Sequence, residues 1–352
     1  MENLVIQTAY LGDLVLSIPL MRQLVQIDPE HHLAVVCRRG LGDLIRATGL
    51  ADRVIEVDKK NPAAWKAQKR ELLSTRFHHI VCPHESPRTA FLVARMKASG
   101  LKIGFHRPWN FFAFDRRVKK PMHLPDALRQ LSLLTSLSHG FAEEFSEIGG
   151  MTELWNSSEL GGPVNFFGST IPIWARLRTS PRPRPEGRRI FLAPGSAWAT
   201  KRWTLEGYTG LAGMLLREGW EVVLVGSPDE KPLADTIERA HRQVKNQVGK
   251  WSISQTVREF ETGQALVAND SGAIHMAALA GLPTVAIFGP TTLAFGFRPW
   301  QENAIVVQRR LKCRPCGKHG HQKCPIGTHE CMTQISVNDV RSALAELLAA
   351  KV

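Results

Sequence analysis

Three short segments carry residue types suited to acid–base or anion chemistry, and all three share one local pattern. In each, an apolar run leads into a turn of small residues and then into helical periodicity. The first is Gln7-Thr8-Ala9-Tyr10-Leu11-Gly12-Asp13. Asp13 falls near the positive end of the following helix, which favours an ionised carboxylate. It can cap that helix, serve as a general base, or do both, although an ordinary aspartate near pKa 3.9 is a weak base. The second is Ala193-Pro194-Gly195-Ser196-Ala197-Trp198-Ala199-Thr200-Lys201-Arg202-Trp203, followed by Thr204 as a helix cap. Its small residues admit a ligand close to the backbone, and Lys201 with Arg202 supplies the charge for a phosphate. The plainer reading is a solvated basic loop. The third is Asn269-Asp270-Ser271-Gly272-Ala273-Ile274-His275. The unpaired amides of its helix would form a second anion site. His275 on the first turn suits either a phosphate hydrogen bond or a structural role.

The elements that must position these turns alternate. Short apolar runs at 4–6, 33–36, 54–57, 79–82 and 102–104 read as strands, each followed by a helix-like segment. From 161 to 189 the glycines and prolines interrupt both patterns. Alternation then resumes, with strands at 190–193, 221–225, 265–268 and 284–288 and helices at 205–217, 231–240 and 273–280. This predicts an α/β protein of two Rossmann-like βαβ domains, which bind ligands at the carboxyl ends of their strands. The expected boundaries are a first domain over 1–170, a linker over 171–189, and a second domain over 190–336. An amphipathic helix within 337–352 is expected to pack back on the first domain.

Of 352 residues, 43% are hydrophobic and 22% charged, a balance that supports packed cores and excludes a disordered chain. Lysine and arginine number 45 against 32 acids, and the surplus of +13 suggests an anionic partner. Much of it lies in two stretches. Residues 59–70 hold Lys59, Lys60, Lys66, Lys69 and Arg70 around Trp65. Residues 102–120 hold Lys102, Arg107, Arg116, Arg117, Lys119 and Lys120, interleaved with Phe105, Trp109, Phe111, Phe112 and Phe114. Cations beside exposed aromatics suit a lipid interface; the other reading is core aromatics with solvated cations. No nucleic-acid module is recognisable, no G-x-G-x-x-G follows the first strand, and no secretory leader or membrane-spanning run is expected.

Four of the six cysteines form the set Cys313-x2-Cys316-x7-Cys324-x6-Cys331. They could close a structural zinc or iron site, pack without metal, or form disulfides.

Residues 7–19, 194–203 and 267–290 together resemble the signature segments of glycosyltransferase family 9, the lipopolysaccharide heptosyltransferases, and the likeness extends over nearly the whole chain. Cys-Pro-Cys-rich tails such as 313–325 make the heptosyltransferase II type the nearest branch. The resemblance implies a GT-B fold and an inverting, metal-independent transfer from ADP-L-glycero-β-D-manno-heptose to a Kdo-bearing, phosphorylated lipid A. It implies Asp13 as general base, with Lys201 and Ser196 at phosphate. Glu230 would hold the ribose, Trp251 would lie against adenine, and Asp270, Ser271, Gly272 and His275 would surround the diphosphate. The acceptor would meet the first domain, where Lys59, Lys60, Arg107, Arg116, Arg117, Lys119 and Lys120 are the candidate contacts. A cytoplasmic enzyme at the inner face of the membrane follows, and nucleic acid is not an expected partner. Thr8-Ala9-Tyr10 departs from the paired serines common in the family, as does Gly272-Ala273-Ile274 from the usual bulkier residues, which leaves the donor sugar open. Two alternatives remain: an autotransporter protein heptosyltransferase, and a metal-containing nucleic-acid-binding protein.

Overall fold

The computed structural model describes residues 1–149, 164–165, 187–301 and 303–350. The chain divides into two compact units, Met1–Thr152 and Glu153–Val352.

The first unit runs β1 (Glu2–Gln7), α1 (Leu11–Ile27), β2 (His32–Arg38), α2 (Gly42–Thr48), β3 (Arg53–Val57), α3 (Pro62–Ser74), β4 (Arg76–Phe77), β5 (Ile80–Cys82) and α4 (Pro87–Arg95). It continues with β6 (Lys97–Ala98), β7 (Lys102–Phe105), β8 (Arg116–Val118), α5 (Asp126–Leu131) and α6 (His139–Gly149). Its six-stranded sheet has the order β3-β2-β1-β5-β7-β8, with every neighbouring pair parallel. Leu4, Val5 and Ile6 on the central strand are fully buried, as a parallel strand covered on both faces requires. The edge strand β8 has no counterpart in the apolar pattern. Its Arg116 and Arg117 are exposed, and charge on an edge discourages pairing with another sheet.

The second unit holds β9 (Val164–Asn165), β10 (Arg189–Ala193), α7 (Leu205–Arg217), β11 (Glu221–Leu224), α8 (Lys231–Ala240), β12 (Lys245–Asn246) and α9 (Ile253–Phe260). Then come β13 (Ala265–Asn269), α10 (Gly272–Leu279), β14 (Thr284–Phe288), β15 (Ala304–Gln308), α11 (Glu330–Thr333) and α12 (Val337–Ala349). The sheet order is β12-β11-β10-β13-β14-β15-β9, parallel except for the antiparallel pair β15–β9. Strands β13, β14 and β15 are buried at every position.

Two expectations about organisation change. Val164–Asn165 pairs with the second sheet, so that sheet draws on chain well before the proline-rich run, most of which (166–186) lies outside the described residues. The last helix, α12, spends its apolar stripe on its own unit. Val340, Ala343, Leu344 and Leu347 join the core formed with Leu211, Val285 and Ile305. A 3.6-residue stripe shows that a helix has a face to bury but does not say against what. Among the described residues no helix is long and apolar enough to cross a membrane.

Because Leu344 is fully buried beneath this helix, Leu344→Ala is expected to cost about 2–5 kcal/mol, measured as a lowered urea midpoint. A variant within about 0.5 kcal/mol of the parent, the range of ordinary surface substitutions, would show that α12 is peripheral.

Candidate functional site

In the first unit, β1 delivers the chain to the Tyr10 turn and α1 carries Asp13 on its first turn. The N-cap is Tyr10, so Asp13 stands three residues into the helix and not at the cap itself. Its Oδ2 accepts the Tyr10 N–H at 3.2 Å, which ties the carboxylate to the turn it follows. The capping role is met from the N3 position, through the N-cap backbone. Asp13 is half-buried, and burial together with the negative charge of Asp126 raises its carboxyl above the usual aspartate range; the Tyr10 N–H and Lys120 offset part of that rise. An Asp with raised proton affinity is a better base than the ordinary one assumed from sequence.

Asp126 reaches this position through a buried relay. Ser17 Oγ lies 2.8 Å from the Asp13 carbonyl oxygen and 2.5 Å from Gln130 Oε1. Gln130 Nε2 donates to Asp126 Oδ2 at 2.9 Å. Lys120 Nζ then bridges Asp126 at 3.0 Å and Glu85 at 2.9 Å, and Arg107 also pairs with Glu85. Burial opposes ionisation of Asp126, but Lys120 and Gln130 more than compensate and hold its carboxyl below the usual range. Two residues proposed as acceptor contacts, Lys120 and Arg107, are therefore engaged in ion pairs. The relay was invisible in the sequence, since Ser17 and Gln130 are 113 positions apart.

Lys59 and Lys60 line a cavity of about 620 Å³ beside the same turn, together with Thr8, Arg38, Arg39, Asp58 and Arg88. Five cations thus face one acid, and Arg39 already pairs with Asp58 at 2.7 Å. Partial desolvation and the neighbouring Arg88 lower the Lys59 ammonium, which donates to Thr8 Oγ1 at 2.9 Å. His84, 3.1 Å from the same hydroxyl, is pushed down to about 4 by burial and by Lys59, so it is neutral at pH 7. Arg38, Arg39 and Arg88 were not singled out from sequence, because the adjacent pair Arg38-Arg39 and the distant Arg88 meet only in the fold. Arg116, Arg117 and Lys119 are exposed some residues away. Of the aromatics interleaved with them, Phe105 and Phe114 are core, whereas Trp109, Phe111 and Phe112 are exposed.

In the second unit, three turns meet at the carboxyl ends of β10, β13 and β14. Lys201 Nζ lies 2.6 Å from Asp270 Oδ2, and both residues are buried. Thr291 Oγ1 donates to the same carboxylate at 2.6 Å. Asn269 ties the loop down by donating to the carbonyls of Pro194 and Gly195 and accepting the Trp203 N–H at 2.9 Å. Asp270, grouped from sequence with the diphosphate contacts, pairs with Lys201. Ser196 is buried in this loop, with its carbonyl accepting from Arg202 Nε at 2.9 Å. Glu230 accepts the Ser227 N–H at 2.8 Å and packs over two glycines. A Cβ on Gly195 would fall 2.0 Å from Glu230 Cδ, and one on Gly226 would fall 2.5 Å from Glu230 Oε2. Ser271 caps α10, whose first turn holds Gly272 and buried His275. Trp251 is half-buried, edge-on to Phe191 with ring centres 6.4 Å apart.

The cysteine segment packs against this loop. Among the described residues, one group of three or more His, Cys, Asp or Glu has all its ligand atoms within 4.8 Å of one another, and it contains no cysteine. Cys331 is buried beside α12's core, where its thiol is pushed up to about 11. Cys316 Sγ donates to the Cys313 carbonyl, and Cys324 Sγ accepts the His329 N–H. Cys313, Cys316, Cys324 and Cys331 are free thiols, and Cys331 feels the charges of the other three. The histidines between them do the bracing. Thr200 exchanges hydrogen bonds with the His321 backbone, and His329 Nε2 lies 2.8 Å from the Thr200 carbonyl. The loop that presents Lys201 is clamped from behind.

The family model for glycosyltransferase family 9 (heptosyltransferase) matches residues 65–326. A lipooligosaccharide heptosyltransferase 2 of Haemophilus influenzae is 30% identical over 170 residues, covering 46% of this chain and 47% of that protein. A lipopolysaccharide heptosyltransferase 2 of Salmonella typhimurium is 34% identical over 168 residues, again 46% and 47%. The matched stretch thus spans about half the length of these relatives. The solved E. coli ADP-heptose lps heptosyltransferase II superposes with a TM-score of 0.70 at 22% identity, covering 99% of this chain and 98% of that one. That likeness shows the GT-B fold. With three quarters of its length inside the family model, the chain belongs to glycosyltransferase family 9, the heptosyltransferases.

Proposed function

We propose that this chain transfers heptose from ADP-L-glycero-β-D-manno-heptose to the inner core of lipopolysaccharide, with inversion and without a divalent metal. The observation that carries the reading is Asp13, a half-buried carboxylate of raised proton affinity on the first turn after β1, in a chain of a heptosyltransferase family. In the proposed step an acceptor hydroxyl attacks the anomeric carbon while its proton passes to Asp13, and the bond to the ADP oxygen breaks. A single displacement inverts the centre. The departing diphosphate needs positive charge, for which Lys201, the α10 amides and His275 are available in the second unit. Asp270 acts as a positioning residue, since a free carboxylate beside a diphosphate would repel it. Ser196 and Ser271 supply hydroxyls to the same anion, Glu230 holds the ribose and Trp251 the adenine.

The acceptor's phosphates and carboxylates suit the cavity around Lys59 and Lys60. We place the enzyme in the cytoplasm, docked peripherally on the inner membrane. What supports this is a cluster in which Phe111 is 68% and Phe91 60% exposed, the Phe91 and Phe112 rings are 4.9 Å apart, and Arg116, Arg117 and Lys119 lie nearby in sequence.

Asp13→Ala is expected to lower turnover about 10²–10⁴-fold while ADP binding, read by calorimetry, is largely retained; near-normal turnover would remove Asp13 from the mechanism. Mass spectrometry of the product on defined Kdo-lipid A acceptors, with a protein acceptor as the competing arm, tests the substrate. The pH dependence follows from the sign of the Asp13 shift. Below its raised pKa the base is protonated, so kcat/KM rises with pH through that value. Asp126→Asn removes a repelling charge and should move this acid limb to lower pH. Lys120→Met removes a stabilising cation and should move it to higher pH. Shifts in the same direction for both variants would refute the coupling. For the membrane, reversing Arg116, Arg117 and Lys119 to Glu should weaken binding to anionic phospholipid vesicles at least about 100-fold at low salt, at roughly 1 kcal/mol per cation. Unchanged sedimentation with vesicles would exclude this surface.

A further inference from the structure

The one group of ligand atoms that does converge among the described residues lies in the first unit, at the amino ends of its strands. It consists of Asp28, His31 and His78, whose ligand atoms all lie within 4.8 Å of one another. Asp13 sits at the opposite end of the 17-residue helix α1 that terminates at Asp28, so the two groups are separated by roughly 25 Å of helix. The proposed transfer makes no use of these residues.

Both histidines already face the carboxylate of Asp28. His31 Nδ1 is 2.8 Å from Asp28 Oδ1, and His78 Nε2 is 3.8 Å from Asp28 Oδ2. Asp28 and His78 are each held by a further contact of the kind that orients metal ligands. Asn3 Nδ2 donates to Asp28 Oδ2 at 2.9 Å, while Asn3 Oδ1 accepts the N–H of His79, the residue after His78. His78 Nδ1 lies 3.3 Å from Ser99 Oγ, which leaves Nε2 facing the carboxylate. The backbone is anchored as well: the Asp28 N–H bonds to Leu24 O at 2.9 Å and the His78 N–H to Glu2 O at 2.7 Å. The three side chains are 17–27% exposed, enough for an ion to enter from solvent.

We infer that Asp28, His31 and His78 bind a divalent transition-metal ion of the borderline class, zinc, cobalt or nickel, in a two-histidine, one-carboxylate site. Two imidazoles select such ions over magnesium and calcium, which prefer oxygen. Three protein ligands leave the remaining positions to water. The two rings are stacked, 3.9 Å apart and 6° from parallel. Parallel stacked rings cannot both aim a nitrogen at one ion, so binding turns the more exposed His78 ring out of the stack. The ion then joins the end of α1, the start of β2 and the segment before β5.

The test is a titration of the full chain with Co2+ and Zn2+, read by absorption and calorimetry. The expected result is one ion whose cobalt spectrum lacks a thiolate charge-transfer band, which separates this site from the free cysteines. His31→Gln and His78→Gln, on different elements, should each weaken that ion about 100-fold or more, and Asn3→Ala should weaken it about 10–100-fold. Zn2+ should raise the Tm of the parent and not that of the histidine variants. Folding of each variant is checked by circular dichroism, and either histidine variant suffices. Binding that is unchanged in a folded histidine variant, or cobalt bound only with a thiolate band, would overturn the proposal.

Discussion

The second unit is organised around one buried ion pair, Lys201 with Asp270. Taking two charges out of water costs several kcal/mol per ion, and the pair survives only because its geometry is short and its remaining valences are met. Thr291 fills one of them, and neighbouring Asn269 satisfies three backbone groups of the 194–203 loop. The consequence is orientation more than stability. The lysine is held at the carboxyl edge of the sheet by a partner that cannot leave without exposing an unpaired charge. The cysteine-rich segment then closes on the same loop through Thr200, His321 and His329.

The first unit applies the same physics with the opposite sign. Asp13 is desolvated and has a like-charged neighbour, so its proton affinity rises, whereas Asp126, though buried, has Lys120 and its own affinity falls. Two carboxylates in one neighbourhood are thereby driven apart in proton affinity. The cost of burying Asp126, Lys120 and Glu85 together is offset by their mutual pairing and by Gln130.

The surface charge divides along similar lines. Lys120 and Arg107 are spent on Glu85 and Asp126, while Lys59 and Lys60 share a cavity with Arg38, Arg39 and Arg88. Arg116, Arg117 and Lys119 stay exposed to solvent. Phe105 and Phe114 belong to the packed interior, and only Trp109, Phe111 and Phe112 of that stretch meet solvent. A basic stretch read along the chain thus resolves into three populations with different duties.

The strands, the helices that follow them and the three glycine-containing turns were legible because each is written in local periodicity: apolar runs for doubly covered strands, small residues for turns, a 3.6-residue stripe for helices. Asp13, Lys201 and His275 were legible for the same reason, as chemistry at fixed offsets from those turns. Strand β15 carries the same apolar run at 304–307 without having been anticipated, whereas the edge strand β8 and the destination of α12 were not legible, leaving no local signature. Nor were the pairing of Lys201 with Asp270, the relay from Ser17 to Asp126, the three arginines beside Lys59, or the convergence of Asp28, His31 and His78. The cysteines mark the limit most clearly. Their spacing permits a tetrahedral site, and the fold brings them near enough to feel one another's charge, but no three of them meet within 4.8 Å among the described residues. The sequence by itself determined which groups exist and on which kind of turn each rides. Only the tertiary structure decided their partners, because charge and proton affinity depend on neighbours brought together across the fold.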